Sequence, residues 1–400
     1  MTEDGGVSDG AREHLAADTD TAVEGDSSLT VAVIGAGAVG TTAAYALARA
    51  GADVTLYDRG SVASGASGRA AGICYDAFAD SLEATLAAES IERFRALSGE
   101  ETFPFVECPY VWFAREGDDD RIDAVRRQVR RMQENGVVVL EVDGSALGER
   151  FPSLRTDDIA VAGIAGAAGY TDPARYTDCM AAAATGAGAR LEAETDVAVR
   201  TTPPRVVLEN GAGREFDAVL VAAGARTKRL LADAGVSIAM KPYRVQALIG
   251  SGDFEEPMWY DATDECYARP HLDGLLAGNG AEHREADPAR YDRDADPEFA
   301  ATLETRIRHR LPDVELGLER AWAGLCTATP DRDPLVGRLR EGVYVATGFQ
   351  GHGFMRAPAI GERIAREISG GSGIDAYDPT RFAGDEEFDV TEGTTLTFEE

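Results

Sequence analysis

The sequence predicts a chain of the α/β class, a sheet with helices on its faces, and three observations lead there. Short apolar runs at Thr30–Ile34, Asp53–Tyr57, Ala218–Ala222 and Val343–Ala346 read as strands separated by helical patterns. A glycine-rich turn joins the first of these runs directly to a helix. With 400 residues, 44% of them hydrophobic, the chain is long enough for two or three packed domains.

The first element is Val31–Gly40, VAVIGAGAVG, in which a strand enters Gly35-Ala36-Gly37-Ala38-Val39-Gly40 and a helix follows. Gly35 permits a tight turn, Gly37 lets backbone approach a diphosphate, and Gly40 allows the helix to pack closely on the strand. The helix amino terminus then offers unpaired N–H groups and a partial positive charge to phosphate. The next strand, Asp53–Tyr57, ends at Asp58, 18 residues beyond Gly40, where a carboxylate accepts from ribose hydroxyls and repels a 2′-phosphate. This Rossmann-like order predicts dinucleotide binding without separating FAD from NAD.

Further along, Asp118, Asp119 and Asp120 precede Ile122, Val125, Val129 and Met132 on one helical face, and Asn135-Gly136 supplies the stop. The arginines at 126, 127, 130 and 131 read as the solvated face of that helix. Pro358 suits a first helical turn, with Ile360, Ile364 and Ile368 as its buried stripe. Residues 1–28 and 377–400, rich in acidic and small polar types, read as mobile tails.

Composition narrows the function. Seventy acidic against 39 basic side chains leave a net charge of −31, so nucleic acid is not an expected partner. Only Lys228 and Lys241 are lysines, a balance that fits a surface adapted to high salt. Five cysteines without a CxxC pair and five histidines without ligand spacing indicate neither a disulfide framework nor a metal site. No signal-like leader and no membrane-spanning stretch are apparent, which points to a cytoplasmic protein.

The segments that separate the two dinucleotides resemble a known family. Arg59–Ile73, RGSVASGASGRAAGI, resembles the second FAD-contacting segment of the D-amino-acid oxidase superfamily, which includes glycine and sarcosine oxidases. Gly169–Leu191, Phe216–Leu231, Thr329–Gly337 and Gly342–Gly370 match further family segments in order, over roughly residues 30–372. The resemblance implies a discontinuous Rossmann-like FAD-binding domain (29–76, 166–234 and 326–372) with an interposed antiparallel-sheet substrate domain (77–165 and 235–325), together α/β and α+β. It implies FAD contacts at Gly35, Ala36, Gly37, Ala38, Val39, Gly40, Asp58, Arg59, Ser67, Gly68, Arg69, Ala70, Ala71, Gly72, Val197, Ala223, Gly224, Gly348, Gln350, Gly351, His352 and Gly353. Alignment on Thr329-Pro330-Asp331 puts the cysteine that carries covalent flavin in some relatives at Gly324, so FAD is expected without a covalent bond.

The chemistry implied is oxidation of a small amino acid or N-methyl amino acid by hydride transfer to flavin N5, with oxygen or a carrier as the final acceptor. An arginine is the expected clamp for a substrate carboxylate. Here the chain departs from its relatives: Cys326 follows Trp322-Ala323-Gly324-Leu325 where glycine-oxidase-like members carry arginine, and Met355 stands where sarcosine-oxidase-like members carry lysine. Arg269, Arg244 and Arg356 are the replacement candidates, Tyr267 shares a strand face with Arg269, and His352 is placed beside the flavin. A 2-hydroxy-acid dehydrogenase, or a flavoprotein subunit with an electron-relay or structural role, fits the same cofactor segments.

Overall fold

The computed structural model describes residues 29–99, 102–255, 257–272, 274–279 and 282–391. Six strands form the first sheet in the order Leu335–Arg340, Val343–Thr347, Ala218–Val221, Thr30–Ile34, Asp53–Tyr57, Arg190–Glu192. Thr30–Ile34 lies at its centre, parallel to both neighbours, with Val31 opposite Ala218 on one side and Val54 on the other. Val33, Val54 and Val219 are fully buried, because helices and a small three-stranded sheet cover both faces and a β-branched run is the sequence that suits such a strand. The sheet gathers strands from three separated stretches of chain, Thr30–Tyr57, Arg190–Val221 and Leu335–Thr347.

The second sheet has eight strands, ordered Gly317–Ala328, Lys241–Ser251, Gly274–Asn279, Cys266–His271, Met258–Asp261, Tyr110–Arg115, Ile159–Ala165, Val139–Val142. All neighbours are antiparallel except Met258–Asp261 and Tyr110–Arg115, which run parallel. Cys266–His271 turns at Leu272 and returns as Gly274–Asn279, forming a hairpin. The helix Asp119–Glu134 is capped by the Asp118 carboxylate and buries Ile122, Val125, Val129 and Met132, while Arg126, Arg127, Arg130 and Arg131 stay exposed.

Two boundaries shift. The helix Ser81–Leu97, assigned by sequence to the substrate unit, packs instead on Ala357–Ile368 of the cofactor unit. Its Ser90 Oγ accepts from the Ala359 N–H at 3.2 Å, and Glu89 pairs with Arg363 at 2.6 Å. Residues 377–391, expected as part of a mobile tail, are packed: Tyr377 and Val390 are buried, Arg381 pairs with Asp331 at 2.7 Å, and Lys241 Nζ donates to the Phe388 carbonyl at 2.6 Å. Acidic composition masked the few apolar anchors that hold this segment. The expected tails at 1–28 and 392–400 lie outside the described residues.

Candidate active site

A cleft of about 460 Å³ opens where the carboxyl ends of the central strands meet the face of the eight-stranded sheet. This is the crevice that an open parallel sheet leaves at its switch point, and the turn Gly35–Val39 forms its floor. Gly35 has φ of +114°, and a Cβ there would run into the Ala222 carbonyl oxygen. The helix Ala38–Arg49 begins at Gly37 with no acid in its first turn; the neutral Ser67 hydroxyl accepts from the Ala38 N–H at 2.9 Å, and no carboxylate competes there with an anion among the described residues. Asp58 accepts from the Ala36 N–H at 2.7 Å and the Gly60 N–H at 2.8 Å. Burial raises its carboxyl above the usual range, against the pull of those two N–H groups.

Of the residues expected to contact FAD, Gly40, Gly68 and Gly348 do not line the cleft and the others do. The three glycines serve close packing instead: a Cβ would strike the Gly35 carbonyl at Gly40, the Ala63 carbonyl at Gly68, and Thr329 Cγ2 at Gly348. Gln350 carries a further signal. The residue is 2% exposed, with φ of +51°, and neither side-chain amide atom has a hydrogen-bond partner among the described residues. A buried amide with both atoms unmet suits a flat heteroaromatic ring that presents carbonyl and N–H groups at its edge.

The inner end of the cleft is aromatic. Tyr75 stacks on Tyr110 at 4.2 Å between ring centroids, its hydroxyl lies 3.3 Å from His352 Nε2, and Phe78 meets the His352 ring edge-on at 5.5 Å. Burial, with Arg356 adding to it, pushes the His352 imidazole down to about 3, so it stays neutral. Tyr267 lines the same wall opposite Tyr260 in the strand register.

The three candidate arginines separate clearly, and none lines the cleft. Arg244 turns away from it, pairing with Glu282 and with Asp296 at 3.0 Å while donating to the Asp292 and Asp294 carbonyls. Arg356 is buried against Glu83 at 2.5 Å, over the Phe78 ring. Both cations are already neutralised, which removes them as substrate clamps. Arg269 donates from Nε to the Ala71 carbonyl at 2.5 Å and from Nη1 to the Pro270 carbonyl at 2.6 Å, and it lies over the Tyr170 ring. It is 3% exposed, and no carboxylate among the described residues is within ion-pairing distance of it. Ala71 lines the cleft, so this unneutralised charge sits one residue behind the wall.

The family described as "FAD dependent oxidoreductase" matches residues 30–367. This chain belongs to that family. As an FAD-dependent oxidoreductase it is similar to the glycine oxidase of Geobacillus kaustophilus, 26% identical over 84% of this chain and 91% of that protein. It is 29% identical to the tRNA 5-methylaminomethyl-2-thiouridine biosynthesis bifunctional protein of Maricaulis maris over 88% of this chain, which spans 55% of that longer protein. Among solved structures, the L-proline dehydrogenase of P. horikoshii superposes with a TM-score of 0.79 at 28% identity, covering 88% of this chain and 97% of the other. The FAD-dependent oxidoreductase fold therefore accounts for the discontinuous sheet, and its cofactor for the cleft.

Several lining residues had no sequence signal. Tyr75, Tyr110 and Tyr260 sit on strands whose register is set by distant partners, and Tyr291 and Arg293 come from a loop. Alternation within Met258–Asp261 and Tyr110–Arg115 was the available hint, but which face meets the cofactor unit is decided only by the assembled sheet. No metal-binding cluster occurs among the described residues, and no helix there is long and apolar enough to cross a membrane.

Proposed function

We propose that this chain oxidises the C–N bond of a small amino acid or N-methyl amino acid, with Arg269 supplying the charge that receives the substrate carboxylate. The observation that carries the reading is the buried, unneutralised guanidinium of Arg269, which donates to the carbonyl of Ala71 on the cleft wall. Bound FAD supplies the two-electron acceptor for the hydride from the carbon next to nitrogen. The residues able to hold it are the helix end at Gly37–Val39, Asp58 for ribose hydroxyls, and Gln350 for the edge of the ring system.

The protein's own part is to bind, orient and exclude water. Burial lowers the Arg269 pKa to about 10, which leaves it a cation at neutral pH and strengthens its pull on an anion. Tyr267 presents a hydroxyl on the same strand face. Neutral His352 places no positive charge beside an incoming amine, and the Tyr75–Tyr110–Phe78 cluster keeps this end apolar.

Anaerobic bleaching of the bound flavin is the test, across glycine, sarcosine, dimethylglycine, D-alanine, D-proline and a set of 2-hydroxy acids in molar salt. Amines are expected to bleach it. Bleaching by hydroxy acids with none by amines would overturn the assignment.

A further inference from the structure

The cleft is lined by more cations than acids, an inversion of the chain's overall balance. Arg59, Arg69, Arg226 and Arg293 line it, against Asp58 and Asp196 as the only carboxylates among its described lining residues. Arg69 is already committed, donating from Nη1 to the Ser64 carbonyl at 2.5 Å and the Gly65 carbonyl at 2.8 Å. Arg59 and Arg226 are not: neither makes an ion pair or a side-chain hydrogen bond among the described residues, although most arginines of this acidic chain do.

Topology brings these two together. Arg59 follows the carboxyl end of Asp53–Tyr57, and Arg226 follows that of Ala218–Val221, the strands on either side of central Thr30–Ile34. The turn Gly35–Val39 leaves the strand between those two, and both arginines line the same crevice as that turn. The carboxylates nearest Arg226 do not bond to it: Asp196 accepts from the Val197 N–H at 3.1 Å, and Asp287 accepts from the Ala289 N–H at 2.8 Å. Burial first, and then the repulsion of Arg59, lower the Arg226 pKa. Two like charges held at the rim of one crevice, which Asp58, Asp196 and Asp287 offset without bonding to them, are relieved further by an anion and not by a neutral ring.

We propose that Arg59 and Arg226 form a two-arginine clamp on the phosphates of the bound dinucleotide, one from each side of the strand that enters the Gly35–Val39 turn. The clamp depends on the FAD site alone and stands apart from the amine chemistry. It gives a chain of net charge −31 a local positive rim at which to hold an anionic cofactor.

The test is FAD retention in the purified full chain, followed by the fluorescence of released flavin, with ADP and adenosine as competitors. Arg226→Gln is expected to weaken FAD and ADP by roughly tenfold each and to leave adenosine unchanged, the size of one charge-assisted contact. Arg59→Gln, at an exposed position that carries little folding risk, should do the same. Arg229→Gln, which removes an equal charge one turn away at a site 74% exposed, should change neither. Arg226→Gln and Arg59→Gln both holding FAD within about twofold of the parent would overturn the clamp, and so would an equal loss for adenosine and ADP. A parent protein that takes up no FAD would instead refute the cofactor assignment, a separate outcome.

Discussion

Arg269 differs from the other deeply buried arginines in what surrounds it. Arg244, Arg310 and Arg356 each meet at least one carboxylate, whereas Arg269 meets two carbonyls and a tyrosine ring. A buried cation without a counter-ion costs stability, and such a group persists where a ligand completes it. Replacing Arg269 with Met is therefore expected to raise KM for a carboxylate-bearing substrate by about 10- to 100-fold, the worth of a hydrogen bond to a charged group. A matched amine lacking the carboxylate should show little change. Arg244→Met should act differently, loosening the segment 282–296 that Arg244 holds and lowering thermal stability. Equal KM values for the parent and Arg269→Met with the carboxylate substrate would remove Arg269 from the site.

Among the elements, the helices Ala38–Arg49 and Ala357–Ile368 pack tightly at Gly361, where a Cβ would lie 2.6 Å from Thr42 Cβ and 3.1 Å from the Ala43 nitrogen. That contact fixes the helix whose amino end faces the cleft. Gly361→Ala is expected to cost about 1–3 kcal/mol of stability through overpacking. Arg366→Ala on the exposed side of the same helix should stay within about 0.5 kcal/mol, and calorimetry of both variants checks the difference. The isoleucine stripe of this helix was legible in the sequence, as was the whole unit from Thr30 to Asp58, because strand, turn, helix and acid fall within one short window whose periodicities are local. The partners of Arg244 were not legible. Glu282 and Asp296 lie 38 and 52 residues away, in a segment without apolar period, and only the assembled sheet brings them to that strand. The same limit hid the hairpin turn at Leu272 and the anchoring of 377–391 through Tyr377, Phe382, Phe388 and Val390, apolar residues scattered without period among acids.

For the whole molecule the governing quantity is the net charge of −31, which two opposing effects translate into stability. Salt weakens surface ion pairs such as Arg95–Glu107 at 2.6 Å and Arg190–Asp53 at 2.5 Å, each worth about 0–1 kcal/mol when exposed. Salt also screens the repulsion among acids that have no cation to meet, since 39 basic side chains cannot neutralise 70 acidic ones. The second effect is the larger, because it sums over every unpaired carboxylate within a screening length, about 10 Å at 0.1 M and about 3 Å at 1 M. The pairs of fully buried Arg310 and Arg356 are screened much less and hold at either concentration. The melting temperature is therefore expected to rise by at least about 5 °C between roughly 0.1 M and 2 M KCl, as relief of self-repulsion requires. Chloride is the right anion for this measurement, because sulfate strengthens apolar burial in any protein and would raise the melting point without regard to charge. A melting temperature that is flat or falls across that KCl range would mean that the excess acids are too dispersed to repel, and that the acidic composition does not set the stability of the fold.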